Sequence, residues 1–292
     1  MLRVNKAVAL TAWVNGRFLP LDKATVHIED RGFQFADGVY EVIACFGGVF
    51  LDLDAHLKRL QRSSNSINIT LPVTLPELKS LIKQTYQKNP FDDAMVYVQI
   101  TRGAAPRSHL PGAELTPTMV ITSRHLPIPS AEKISAGVRA ITLDDMRWKR
   151  CDIKSIALLA SVIGKQEAAN RNADETFWLD EAGHVLEGCA TNCFAIIDGA
   201  LVTHPLDHQV LGGITRQMLL RIARTHHIDV EERPWKLSEA GLSECMMSST
   251  TNAVMPVCHI NGENIGSGKP GPVAMQLRQW MLDAFDALRT AT

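Results

Sequence analysis

Tight reversals in both halves constrain what this 292-residue chain can become. Asn15-Gly16 separates the apolar Trp13-Val14 from Arg17-Phe18. Asp198-Gly199 separates strand-like residues 193–197 from 200–203, and Gly47-Gly48 separates residues 41–46 from 49–53. Asn-Gly and Asp-Gly supply the positive φ angles that two-residue hairpins require, so each pair marks antiparallel neighbours. Residues 94–101, 119–122 and 176–179 read as further buried strands, being short, β-branched and bounded by turn residues.

Helical periodicity accounts for much of the remainder. One helix is expected to start on Asp54 as N-cap, with Leu57 and Leu60 inward; others are expected over 75–88, 155–169 and 215–227. The last spans 273–288, with Val273, Leu277, Met281 and Leu288 at helical spacing. Residues 103–112 carry Gly103, Pro106, Pro111 and Gly112 and read as a loop. Pro127 and Pro129 make 124–130 the expected linker between a first domain, 1–123, and a second, 131–292. Helices and strands in both parts, without regular βαβ alternation, predict an α+β fold rather than a doubly wound sheet.

Charge narrows the partners. Lys and Arg number 30 against 31 Asp and Glu, a net charge of −1, which leaves no electrostatic footprint for nucleic acid or an anionic membrane. No stretch reaches the roughly 18 apolar residues of a membrane span. The weakly basic start, Met1 to Lys6, precedes an apolar run that leads directly into the Asn15-Gly16 hairpin, so it reads as a first strand rather than a secretory leader. Of six cysteines only Cys189 and Cys193 are close, and no second Cys/His pair completes a metal site. Reduced, buried thiols in a cytoplasmic protein are expected.

Three segments exceed what packing needs. Residues 29–41 run Glu-Asp-Arg-Gly-Phe-Gln-Phe-Ala-Asp-Gly-Val-Tyr-Glu, dense in charge and glycine beside aromatics. Residues 147–155 run Arg-Trp-Lys-Arg-Cys-Asp-Ile-Lys-Ser. Residues 187–194 run Glu-Gly-Cys-Ala-Thr-Asn-Cys-Phe, followed from 211 by Leu-Gly-Gly-Ile-Thr-Arg. Gly212-Gly213-Ile214-Thr215 opens a helix, where free N–H groups and the helix dipole favour an anion.

Together these segments resemble the fold-type IV, or class IV, aminotransferases that depend on pyridoxal 5'-phosphate (PLP), and among them most closely the D-amino acid aminotransferases. The family also holds branched-chain aminotransferases and aminodeoxychorismate lyase. Its pattern runs from Glu187 through Asn192-Cys193-Phe194 and Val202-Thr203 to Gly213-Ile214-Thr215-Arg216 without a break. The resemblance extends from about Ala12 to near the C-terminus. It implies a small N-terminal α/β domain and a larger C-terminal pseudo-barrel.

The resemblance also implies roles. Lys154 holds the cofactor aldehyde and then carries the proton between the substrate Cα and the cofactor. Glu187 keeps the pyridine nitrogen protonated so that the ring accepts electrons. Leu211, Gly213, Ile214, Thr215, Ser249, Thr250 and Arg59 complete the cofactor site. Tyr40, Arg107 and His109 hold the substrate carboxylate, and arginine suits that role because its planar fork binds a carboxylate bidentately. A homodimer with active sites at the subunit interface is implied. Read singly, Glu187 is a turn glutamate, Arg59 part of a solvated helix face, and Arg107 and His109 a surface loop. The expected activity is transfer of an amino group from a D-alanine-like amino acid to 2-oxoglutarate or pyruvate. A branched-chain L-amino acid or amine transaminase, the lyase, and a PLP carrier with little turnover are the alternatives.

Overall fold

A computed structural model describes residues 10–89, 91–112 and 114–290. The basic start, Met1 to Lys6, and the first residues of the apolar run lie outside them. The chain divides into two units: Met1–Leu126 with Ile153–Ala157, and Pro127–Asp152 with Leu158–Thr292.

In the first unit Asn15 and Gly16, both at positive φ, turn Thr11–Val14 back along Arg17–Pro20. The sheet continues from Thr11–Val14 through Thr118–His125, Asp93–Thr101 and Gly38–Phe46 to Val49–Phe50, antiparallel throughout. Arg124 and His125, read from the sequence as linker, are the last residues of a strand. Alternation along the strands puts Ile43, Val96, Val98, Ile100 and Ile121 on one face. Leu57 and Leu60 of the Leu53–Ser66 helix and Leu78 and Ile82 of the Leu75–Gln87 helix cover that face.

The first of these helices starts earlier than expected. Its N-cap is Asp52, left-handed at φ 46°, whose carbonyl accepts from Ala55 and His56, while Asp54 points outward to Lys79 at 2.7 Å. The second helix opens on a capping box formed by Thr74 and Glu77.

Val49–Phe50 pairs only with Cys45 and Phe46, so the other end of Gly38–Phe46 keeps an open edge. Residues Ile153–Ala157 fill it. Tyr40 N–H donates to the Lys154 carbonyl at 3.0 Å, Ile156 N–H donates to Gly38 at 3.1 Å, and Ser155 bridges Val39. These edge bonds are incompatible with helix, so the helix expected from Ser155 begins at Leu159 and runs to Asn170.

In the second unit Asn192–Ile197, Leu242–Ser249, Ala253–Ile260, Val138–Asp144, Glu175–Leu179 and Val185–Gly188 follow one another edge to edge. Glu187 then pairs back to Asn192, closing these six strands into a barrel. Ala200–Thr203 and Val230–Glu232 extend the sheet beyond it. Cys193, Ala195 and Ile197 share one core with Phe177, Trp235 and Met255. The alternate residues Phe194 and Ile196 meet Leu219, Ala223, Leu277 and Met281 of the Ile214–Thr225 and Pro272–Thr290 helices. Leu288, at helical spacing with Leu277 and Met281, is 45 % exposed near the helix end. All six cysteines are free and buried, and no described helix is long and apolar enough to cross a membrane.

Candidate active site

Lys154 sits half-buried in the edge segment of the first unit. Its N–H donates to Ser63 Oγ at 3.2 Å, and its Nζ lies 4.2 Å from the centre of the Tyr40 ring. Tyr40 in turn packs on Tyr97, with ring centroids 5.5 Å apart. The backbone of Lys154 is thus held on both sides, by Ser63 and by the Tyr40 N–H, while its side chain lies half-buried over the Tyr40 ring.

A charged cluster between the Leu53–Ser66 helix and the Gly38–Phe46 strand is buried. Arg59 places Nε 2.6 Å from Glu41 Oε1 and Nη2 2.8 Å from Oε2, and His56 Nδ1 lies 2.7 Å from Oε2. Burial pushes the Glu41 carboxyl up. The Arg59 charge and the hydrogen bonds from Arg59 and His56 outweigh it and hold the group at about 2. Arg59 is therefore no solvated helix arginine: it is 7 % exposed and oriented by a carboxylate.

Arg107 and His109 are exposed in the loop after Thr101. The Arg107 guanidinium carbon lies 4.6 Å from the Phe35 ring centre, and the His109 ring is 5.4 Å from the same centre. Arg107 forms no ion pair among the described residues.

In the second unit Glu187 stands on the strand that closes the barrel. Arg147 Nη1 makes a very short contact to Oε1, while Asn192 Nδ2 and the Leu211 N–H donate to Oε2 at 3.1 and 2.9 Å. All three are donors, the surroundings of an ionised carboxylate rather than a protonated one. Arg147 is itself gripped by both oxygens of Asp145, at 2.8 and 2.9 Å. Burial alone lowers the Arg147 pKa, but the Asp145 hydrogen bonds and the Glu187 charge raise it above its ordinary value. Sequence reading named the segment containing Arg147 without giving it a role. The only signal was its position in a charged run, because the loop after Val138–Asp144 that carries Asp145 and Arg147 meets the Val185–Gly188 strand only in the folded chain.

Asn192 Nδ2 also donates to the Leu211 carbonyl at 2.9 Å, tying the barrel strand to the turn before the Ile214–Thr225 helix. That helix begins at Gly213 with no side-chain cap. A Cβ on Gly213 would stand 2.1 Å from Asn192 Oδ1, so only glycine allows this approach. Ser249 Oγ accepts from Asn252 N–H at 3.2 Å and meets Thr251 Oγ1 at 3.3 Å. Thr250 is half-buried in the same turn. An uncapped helix start and an arginine-held carboxylate in the second unit, and a half-buried lysine in the first, are each of the donor or acceptor types that a phosphorylated pyridine aldehyde requires. Among the described residues no group of three His, Cys, Asp or Glu side chains suits a metal ion.

The sequence pattern of the family described as Amino-transferase class IV matches residues 38–260. The chain belongs to this family. The class IV aminotransferase is 42 % identical to a D-alanine aminotransferase of Bacillus licheniformis over 266 residues, 90 % of this chain and 93 % of the relative. A D-alanine aminotransferase of Listeria monocytogenes is 37 % identical over 273 residues, covering 92 % and 94 %. The fold is also that of the Escherichia coli branched-chain amino acid aminotransferase, 25 % identical, with a TM-score of 0.86 over 93 % of each chain. A second branched-chain amino acid aminotransferase, solved with pyridoxamine 5'-phosphate, is 27 % identical, with a TM-score of 0.87 over 94 % of each chain.

Proposed function

We propose that this aminotransferase moves the amino group of a D-alanine-like amino acid to a 2-oxo acid such as 2-oxoglutarate or pyruvate, using pyridoxal 5'-phosphate. Identity of 42 % to a D-alanine aminotransferase over nine-tenths of the chain carries the reading. The Arg107 and His109 loop, with an uncompensated guanidinium, supports it.

Bound PLP supplies an electron-accepting ring that lets the substrate Cα lose its proton. Lys154 is the residue that holds the cofactor covalently and afterwards moves the proton at Cα. Glu187, with Arg147 behind it, holds the proton on the ring nitrogen. Ile214 and Thr215 N–H groups, Gly213, Leu211, Ser249, Thr250 and Arg59 orient the phosphate and ring. Tyr40, Arg107 and His109 bind the substrate carboxylate. The active enzyme is a homodimer, and its buried, unpaired cysteines suit a reducing cytoplasm.

The deciding experiment is kcat/KM for D-alanine, L-alanine and L-leucine with 2-oxoglutarate, and borohydride trapping of the cofactor. D-alanine is expected to lead by at least tenfold, with the cofactor trapped on the Lys154 peptide. A preference for L-leucine would move the enzyme to the branched-chain activity instead. Trapping at another lysine, such as Lys165, would remove the role given to Lys154.

A further inference from the structure

The charged, aromatic segment 29–37 has no part in the roles given above, yet the loop carrying Arg107 is tied to it at every turn. Ala105 N–H donates to the Glu29 carbonyl at 3.2 Å, Asp30 bridges Ala104, and Arg31 N–H donates to Gly103 at 2.9 Å. The Arg31 side chain reaches farther along the loop. Its Nη1 donates to the Ser108 carbonyl at 2.5 Å and its Nη2 to the His109 carbonyl at 3.1 Å.

Arg31 is 4 % exposed, so its charge needs a partner. Asp37 supplies it, with Oδ2 2.8 Å from Arg31 Nε, and Arg102 holds both Asp37 oxygens at 2.7 and 2.9 Å. Arg102 also donates to the Ile67 and Asn68 carbonyls, so the carboxylate is anchored to the end of the Leu53–Ser66 helix. Arg31 and Arg107 both stand within 5 Å of the Phe35 ring centre, at 4.8 and 4.6 Å. One guanidinium is neutralised and spends its donors on the loop backbone. The other keeps its charge and its fork for a ligand.

We propose that Arg31 is a positioning residue for recognition of the substrate carboxylate. By fixing the Ser108 and His109 carbonyls, and sharing Phe35 with Arg107, it sets where Arg107 and His109 present their donors. The proposal rests on the assignment of Arg107 and His109 to the substrate. Arginine is required because three donors in one plane reach three acceptors; a lysine keeps the Asp37 pair but cannot span both carbonyls. Misplacement of a binding fork by about 1 Å costs substantial productive binding.

The test uses the PLP-loaded enzyme with Arg31→Lys, Phe35→Leu and, as reference, Arg107→Leu. The readouts are KM and kcat for D-alanine, L-alanine and a primary amine without a carboxylate, and the rate of tryptic cleavage after Arg107. Arg31→Lys and Phe35→Leu are each expected to raise KM for the amino acid about tenfold. Turnover of the amine and kcat should stay within about twofold, while cleavage after Arg107 speeds up. An unchanged KM in Arg31→Lys would overturn the proposal. Equal losses on amine and amino acid would overturn it too, leaving Arg31 a purely structural role. Arg107→Leu reads the underlying assignment separately: if it spares the amino acid KM, the carboxylate role of that loop is wrong. A parent that prefers L-alanine removes only the D-specificity, and the amino acid to amine ratio is then read on L-alanine.

Discussion

Glu41 shows how a buried charge can be both a cost and a positioning device. It is fully buried, and only Arg59 and His56 make its ionised form tolerable. Its folded pKa is depressed from 4.5 to about 2, so its stabilising contribution is present above 4.5 and disappears as pH falls towards 2. By the usual linkage, roughly 2 kcal/mol of stability should go by about pH 3 through this group alone. Glu41→Gln is expected to cost about 3–5 kcal/mol at neutral pH, because it removes the buried carboxylate that both Arg59 and His56 hold. It should also flatten the acid limb of a plot of unfolding free energy against pH. Urea titrations of both proteins from pH 7 to pH 3 check this, and parallel pH curves would show that Glu41 is not the group titrating.

Two helix starts differ in a way that separates stability from ligand binding. The Leu75–Gln87 helix closes its first turn with its own side chains, Thr74 on Glu77 N–H and Glu77 on Thr74 N–H. Thr74→Ala should therefore cost about 1 kcal/mol of stability and leave cofactor binding alone. The Ile214–Thr225 helix has glycine at its N-cap and no side-chain acceptor, which leaves its first N–H groups for an anion. Gly213→Ala forces a methyl to within 2.1 Å of Asn192 Oδ1, and Asn192 holds both Glu187 and the Leu211 carbonyl. That variant is expected to bind PLP at least tenfold more weakly by absorbance titration. Comparable PLP affinity in both proteins would place the phosphate elsewhere.

At the scale of the molecule, the Leu159–Asn170 helix exposes Leu159, Val162 and Ile163 at 73 %, 61 % and 42 %, spaced three and four apart so that they share one face. Such an apolar stripe suits burial against another chain, which fits the homodimer proposed above. Light scattering should give twice the 32.2 kDa chain mass, and Val162→Glu should shift the enzyme towards monomer with loss of activity. A monomeric parent that is fully active would exclude the dimer as the working form.

Local chemistry alone determined a good deal. Asn15-Gly16 and Asp198-Gly199 turn the chain at positive φ because those residue types tolerate it, and both hairpins formed where the sequence placed them. The Glu187 to Arg216 pattern likewise pointed to the family directly. Other features needed the folded chain. Ser155 lies in a stretch with helical spacing, but the open edge beside Val39 offered it a sheet partner instead. Arg147 reaches Glu187 forty residues away, Arg59 reaches Glu41 eighteen away, and Arg31 reaches His109 seventy-eight away. A sequence names the charged groups but not their pairings. A buried charge takes whichever counter-charge the packed strands and helices bring within 3 Å, and only the tertiary structure sets that distance.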